Sequence, residues 1–137
     1  MEDIRNVTIR IPERYVDLDL NFINHPVRGD VSIHKDVKAV INSVKNLILT
    51  NHYERLFQPD IGSNIRKMLF EPLDDITAII VEREIREVIR NYEPRADIQA
   101  LVVKATPDYN ALEVKITFFM VNRTEPITIK FLLERIR

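Results

Sequence analysis

Asn91-Tyr92-Glu93-Pro94-Arg95 divides the sequence into two parts with different hydrophobic periods. Before this junction apolar residues recur at the 3.6-residue spacing of helices, and after it they alternate with other residues as in strands. Pro94 has a fixed φ and no N–H, and it disfavours the α region for the residue before it, so we expect the long helix to end here. Two opposite charges, Glu93 and Arg95, are therefore held on a restricted backbone, which favours recognition by a partner protein.

Three helices are predicted before the junction, at about residues 33–50, 64–70 and 72–91. Ser32 is a suitable N-cap for the first helix, and Pro72 suits the first turn of the third. The first helix has an apolar face at helical spacing, made of Val37, Val40, Ile41, Val44, Leu47 and Ile48. The third has a stripe of Val81, Ile85, Val88, Ile89 and Tyr92, extended by Ile76 and Ile80.

A three-stranded antiparallel meander is predicted after the junction, with turns at Pro107–Asn110 and Asn122–Pro126. The expected face of its first strand is Ile98, Ala100 and Val102, and that of its second is Leu112, Val114, Ile116, Phe118 and Met120. In the third strand Ile127, Ile129, Phe131 and Leu133 alternate with Thr128, Lys130 and Leu132. The prediction is an α+β fold in a single domain, residues 1–137, with an extended arm (1–31), a helical anchor (32–95) and a β-meander (96–137).

Composition excludes several classes of function. Lys and Arg total 20 against 21 Asp and Glu, so the basic excess of a nucleic-acid-binding protein is missing. There is no cysteine, and the two glycines, Gly29 and Gly62, cannot form a glycine-rich phosphate loop. The apolar run Ile76–Val81 is too short to cross a membrane, and the charged start Met1–Arg5 lacks the apolar core of a signal peptide.

No residues mark a metal, cofactor or catalytic site. His25, His34 and His52 lack the spacing of metal ligands, and no pair of carboxylates stands out as a glycosidase would require. We therefore predict that the chain is not an enzyme.

The junction and the last strand each allow two interpretations. Glu93 and Arg95 could form an ordinary surface ion pair at a helix end, or a docking site. The last strand could offer an open sheet edge to a partner strand, or be protected by the charges of Lys130, Glu134, Arg135 and Arg137.

Four segments occur in order: Leu47-Ile48-Leu49-Thr50-Asn51, Glu54-Arg55-Leu56-Phe57-Gln58-Pro59-Asp60-Ile61-Gly62-Ser63, Leu69-Phe70-Glu71-Pro72, and the junction. This set resembles the baseplate wedge family of contractile-tailed phages, also called sheath initiators, over about residues 16–121. Type VI secretion systems and related contractile injection particles have similar subunits.

The resemblance implies a structural subunit of the virion tail baseplate, assembled in the host cytoplasm and present in multiple copies around the tail. It assigns Glu93, Pro94 and Arg95 to docking on the helical core bundle formed by other wedge proteins, with Glu93 either fixing Arg95 or pairing with a partner's cation. It implies that the sheet accepts strands of the sheath protein and so initiates sheath assembly, with Ile127, Ile129, Phe131 and Leu133 in the strand offered. The tail tube is a further implied partner.

Two alternatives stay open. Some members of that family carry a lysozyme-like label, so one alternative is an enzyme that cleaves a cell-wall glycan with an unidentified carboxylate pair. The other is a generic interaction domain that binds an unrelated partner through its edge strand.

Overall fold

Eight regular elements are present in the computed structural model, which describes residues 15–19, 26–27, 29–30, 33–106, 110–121 and 123–134. In chain order they are β1 (Val16–Leu18), β2 (Ile33–Lys35), α1 (Val37–Leu49), α2 (Ile65–Met68), α3 (Asp75–Tyr92), β3 (Ala96–Thr106), β4 (Ala111–Met120) and β5 (Pro126–Glu134). These helices and strands confirm the α+β class. The chain divides into two compact units, Met1–Ala39 and Val40–Arg137. The predicted arm, anchor and meander stay predictions as domain parts, since most of residues 1–31 lie outside the described residues.

The first unit contains a short antiparallel pair of strands. Val16 is opposite Lys35 and Leu18 is opposite Ile33. The predicted start of the first helix is wrong, because residues 33–35 pair with β1 and Asp36 has a φ of 47°, which a helix cannot contain. The helix therefore begins at Val37. The predicted cap Ser32 lies outside the described residues.

The helices of the second unit bury the predicted faces, with two exceptions on α3. The buried residues on α1 include Val40, Val44, Leu47 and Ile48, and those on α3 include Ala78, Val81, Ile85, Val88 and Ile89. Ile76 and Ile80, predicted to extend the α3 stripe, are instead 67% and 47% exposed. The buried stripe continues toward the helix start through Ala78, three residues before Val81, and this turns Ile76 and Ile80 away from the core.

The two other predicted helices differ from the structure at their ends. The second is a single turn, Ile65–Met68, and the third begins at Asp75 rather than at Pro72. Asp74 is the N-cap of α3 and accepts a hydrogen bond from Thr77 N at 2.7 Å. Capping by a carboxylate, which also suits the positive end of the helix dipole, determines the start three residues after the proline.

The sheet has the order β3-β4-β5 and is antiparallel throughout, as predicted. The predicted face of β4 is buried: Leu112, Val114, Ile116, Phe118 and Met120. The face predicted for β3 is wrong beyond Ile98, because the register shifts between Ile98, opposite Phe118, and Ala100, opposite Thr117. Gln99 is the extra residue of this bulge, so the inward face continues through Leu101 while Val102 is exposed.

Candidate partner-binding surfaces

The junction is a sharp turn that converts the end of α3 into the start of β3. The helix ends at Tyr92, and Glu93 N still donates to Ile89 O at 2.8 Å. Ala96 N then donates to Glu93 O at 3.1 Å, which closes the turn around the exposed Pro94. The helix stop predicted from the proline is therefore confirmed.

Glu93 and Arg95 form a bidentate ion pair inside this turn. Arg95 Nε lies 2.5 Å from Glu93 Oε1, and Arg95 Nη2 lies 2.7 Å from Glu93 Oε2. Ser43 Oγ, from α1, also donates a hydrogen bond to Glu93 Oε2. Glu93 is only 2% exposed, so the interpretation as an ordinary surface ion pair is wrong. Parallel N–H to carboxylate bonds of this kind are among the stronger and more directional hydrogen bonds in proteins.

The charge state of Glu93 follows from this environment. Burial by itself raises the pKa of the carboxyl group, because it disfavours the charged form. Hydrogen bonds from Arg95 and Ser43, together with the positive charge of Arg95, outweigh burial and hold the pKa of Glu93 below its ordinary value. The carboxylate is therefore ionised at neutral pH.

The arrangement gives different roles to the two charges. The side chain of Arg95 is 27% exposed, whereas that of Glu93 is almost fully buried. Because Glu93 cannot reach a partner's cation from this position, the geometry favours the alternative in which it fixes the orientation of Arg95. Of Glu93, Pro94 and Arg95, it is Pro94 and Arg95 that a partner protein could contact.

Ser43 belongs to this cluster, which we name the Ser43–Glu93–Arg95 clamp, but was not predicted from the sequence. It lies three residues after Val40 and four before Leu47, so it is a hydroxyl on the apolar stripe of α1. A polar residue on a buried stripe requires a hydrogen-bond partner, and that signal could have identified it. Its partner is 50 residues away, so Glu93 could not be identified as the acceptor from the sequence.

The four apolar residues assigned to the last strand face the core. Ile129 and Leu133 are buried, and Ile127 and Phe131 are half-buried. Their side chains are thus on the inner face of the sheet, and what β5 presents at its border is its backbone. Arg135 and Arg137, two of the expected protecting charges, lie outside the described residues.

The two edge strands of the sheet differ in regularity. β5 pairs with β4 without interruption from Ala111 opposite Glu134 to Phe119 opposite Pro126. β3 carries the bulge at Gln99, and bulges are a common means of blocking strand addition at a sheet edge. Within the described residues neither edge has a further strand paired to it.

The described residues contain no site for a metal and no helix that could span a membrane. Among them no three His, Asp or Glu side chains converge as metal ligands. His52 Nδ1 lies 3.1 Å from Asp60 O, which is a local contact within one loop. His25 and the side chain of His34 lie outside the described part of the chain. None of the described helices is long and apolar enough to cross a membrane.

The amino-acid sequence is similar to that of known baseplate proteins. Residues 30–125 match the family described as baseplate wedge protein gp25. The chain is 36% identical over 98 residues to baseplate wedge protein gp25 of Enterobacteria phage T4, covering 72% of this chain and 74% of that protein.

Two solved structures share the fold. A chain of the anti-feeding prophage baseplate superposes with a TM-score of 0.67 at 24% identity, over 81% of this chain and 89% of that one. A protein of Geobacter sulfurreducens assigned as a tail lysozyme superposes with a TM-score of 0.66 at 18% identity, over 73% and 91%. At these identities the likeness shows the fold alone.

Proposed function

Because the chain belongs to the baseplate wedge protein gp25 family, a component of contractile-tail baseplates, we propose that it links the core bundle of the wedge to the sheath and initiates sheath assembly by strand addition. The observation that carries the proposal is that one sheet combines two features. Its edge strand β5 has an unbroken register, and its first strand, β3, directly follows Arg95, which is partly exposed and held by Glu93. One chain thus offers two different surfaces for two different partners.

The anchoring half of the proposal rests on the clamp. The carboxylate of Glu93 holds the guanidinium of Arg95 with two hydrogen bonds, and Ser43 holds the carboxylate. A partner therefore meets an arginine whose rotamer is already fixed, and less side-chain entropy is lost on binding. The partner proposed is the helical core bundle formed by other wedge subunits, with Pro94 and Arg95 in the contact and Glu93 positioning Arg95.

The sheath-binding half rests on the difference between the two edges. An added strand must form a regular ladder, and β5 offers nine residues with unbroken register whereas β3 is interrupted at Gln99. We therefore assign strand addition to β5, with its backbone supplying the pairing. Ile127, Ile129, Phe131 and Leu133 fix the face of the strand and keep it in register.

Substitution of Arg95 tests the anchor. Tails assembled with Arg95→Ala should lack sheath, because the subunit no longer docks on the wedge. Arg83→Ala, an exposed arginine on α3, is the matched control and should give normal tails. Normal sheathed tails from Arg95→Ala would remove Arg95 from the interface.

Single cysteines test the edge, since the chain has no cysteine of its own. Lys130 on β5 and Lys104 on β3 are both exposed lysines and so form a matched pair. With a short thiol-to-amine cross-linker, Lys130→Cys should be joined to the sheath protein and Lys104→Cys should not. Cross-linking from Lys104→Cys alone would assign the interface to β3 instead.

We also propose that the chain is not an enzyme, and the glycan-cleaving alternative is tested separately. The purified chain should leave peptidoglycan intact. Turnover that one carboxylate substitution abolishes would overturn this part of the proposal.

A further inference from the structure

An apolar cleft of about 700 Å³ lies beside the C-terminal end of β5. The end of α1, the single turn α2 and the end of β5 form its walls, with Ile48, Ile65, Leu69, Phe70, Leu132 and Leu133 among the lining residues. Phe70 and Leu132 are 60% and 57% exposed in the described chain. A cavity of roughly 150 Å³ already holds a benzene ring, so this cleft has room for a large apolar side chain and its neighbours.

Charged side chains stand at the rim of the same cleft. Arg66 and Lys67 contribute two positive charges from α2, and Glu134 contributes one negative charge from the end of β5. The rim therefore favours an acidic group next to the apolar one. It disfavours a basic group, which would have to approach the two cations on α2.

The position of the cleft indicates its occupant. Leu133 on the inner face of β5 and Leu132 on its outer face both line the cleft, so the cleft lies around the end of the strand and can receive a side chain from the end of a neighbouring strand. A strand added beyond β5 would lie over this opening at its end. The cleft is therefore continuous with the edge assigned above to strand addition.

We propose that the cleft takes a large apolar side chain of the strand added to β5, next to an acidic residue of that strand that faces Arg66 and Lys67. This inference rests on the proposed function, because its occupant is a segment of the sheath protein. The ladder along β5 supplies affinity that any extended segment can share, whereas the cleft selects a segment with one apolar anchor and one acid. It thereby fixes the register at which the added strand stops.

The test uses Lys130→Cys protein and the sheath protein of the same tail, at limiting sheath concentration. Phe70→Ser or Leu132→Ser in this background should reduce the cross-linking yield about tenfold, the effect of losing one well-seated apolar anchor. Lys67→Glu should also lower the yield, and the loss should shrink as salt screens the repulsion. Ile76→Ser, which replaces an exposed apolar residue on α3, is the control and should not change the yield.

The outcomes separate this inference from the proposed function. One outcome is that Phe70→Ser and Leu132→Ser leave the cross-linking from Lys130→Cys unchanged while the variants still unfold cooperatively. That result would overturn the cleft assignment and leave strand addition standing. No cross-linking in the parent would overturn both. Sedimentation that shows a dimer of the parent, lost in Phe70→Ser, would identify a second copy of this chain as the occupant and overturn the sheath segment.

Discussion

Glu93 contributes both to the fold and to the proposed anchor, because its buried carboxylate binds Arg95 in the same turn and Ser43 on α1. The sequence predicted that the helix would end here and that Glu93 and Arg95 could form a docking site. It could not show that the carboxylate is buried, since burial depends on α1 supplying Ser43 from 50 residues away. A local pattern predicts a turn, but a contact between distant elements follows only from the assembled fold.

Arg95→Ala should lower the free energy of unfolding by about 2 kcal/mol, because it removes two guanidinium hydrogen bonds and a positive charge from a buried carboxylate. The stability of Arg95→Lys should lie between that of the parent and that of Arg95→Ala, since an ammonium keeps the charge but cannot form the two parallel bonds. Urea unfolding at neutral pH measures both. A change no larger than that of Arg83→Ala would contradict the buried pair.

Acid sensitivity follows from the lowered pKa of Glu93. A carboxyl group whose pKa is lower in the folded state stabilises the fold above its unfolded pKa, near 4.5, and that contribution is lost as the pH falls through the folded value. Ser43→Ala removes one of the hydrogen bonds that lower the pKa, so the loss should begin at a higher pH than in the parent. Melting temperature measured against pH tests this, with Glu93→Gln as the control that removes the titrating group. Identical pH profiles for Ser43→Ala and the parent would contradict the assignment.

Gly62 lies where the loop that follows α1 packs against the backbone at the end of that helix. Its φ is 145°, and a Cβ there would lie 2.7 Å from the carbonyl carbon of Asn51 and 2.8 Å from Thr50 O. The next residue, Ser63, donates from its N–H to Thr50 O and from its hydroxyl to Ile48 O. The atoms that a Cβ at Gly62 would meet all belong to the backbone of Thr50 and Asn51, so no flexible side chain can move aside to make room.

Gly62→Ala should therefore destabilise the protein by about 3 kcal/mol or more. Gly29→Ala is the matched control: its φ is also positive, at 64°, but no atom of the described residues lies within 4 Å of the new Cβ, so only about 1 kcal/mol of backbone strain is expected. Thermal unfolding of the two variants measures the difference. Equal effects would contradict the close approach at Gly62.

At the scale of elements, alternation and helical spacing predicted every helix and sheet strand of the second unit, and tertiary contacts decided their ends and faces. The strand Ile33–Lys35 was missed because three residues of pairing with β1 are too few to show a period. The face of β3 was reversed beyond Ile98 because a bulge of one residue has no signature in a run such as Ile98–Val103. The same bulge is what distinguishes the two sheet edges.

Deletion of Gln99 should convert β3 into a regular edge. Ile98 opposite Phe118 and Ala100 opposite Thr117 would then be consecutive pairs, and both faces of the strand would keep their inward and outward residues. We expect the variant to unfold cooperatively and Lys104→Cys in it to acquire cross-linking to the sheath protein. A folded deletion variant that still cross-links only from Lys130→Cys would show that the bulge does not protect β3.

At the scale of the whole molecule, the family could be inferred from four short segments in order, whereas the surfaces could be located only in the fold. Those segments contain residues that determine local backbone turns, such as Gly62 and Pro94, and such residues can be recognised in the sequence itself. An edge strand is a strand with no neighbour on one side, and a cleft is unfilled space between elements. Both depend on how the elements pack, which a pattern of residues along the chain does not show. Both proposed surfaces, the clamp and β5, belong to the compact unit Val40–Arg137.

The most direct test of this central claim is a cryo-EM map of the assembled baseplate with its first sheath ring. We predict a strand of a sheath chain hydrogen-bonded along β5, with Arg95 contacting helices of the neighbouring wedge subunits in the same copy. A sheath strand paired to β3, a bare β5, or Arg95 facing solvent in the assembled particle would contradict the account.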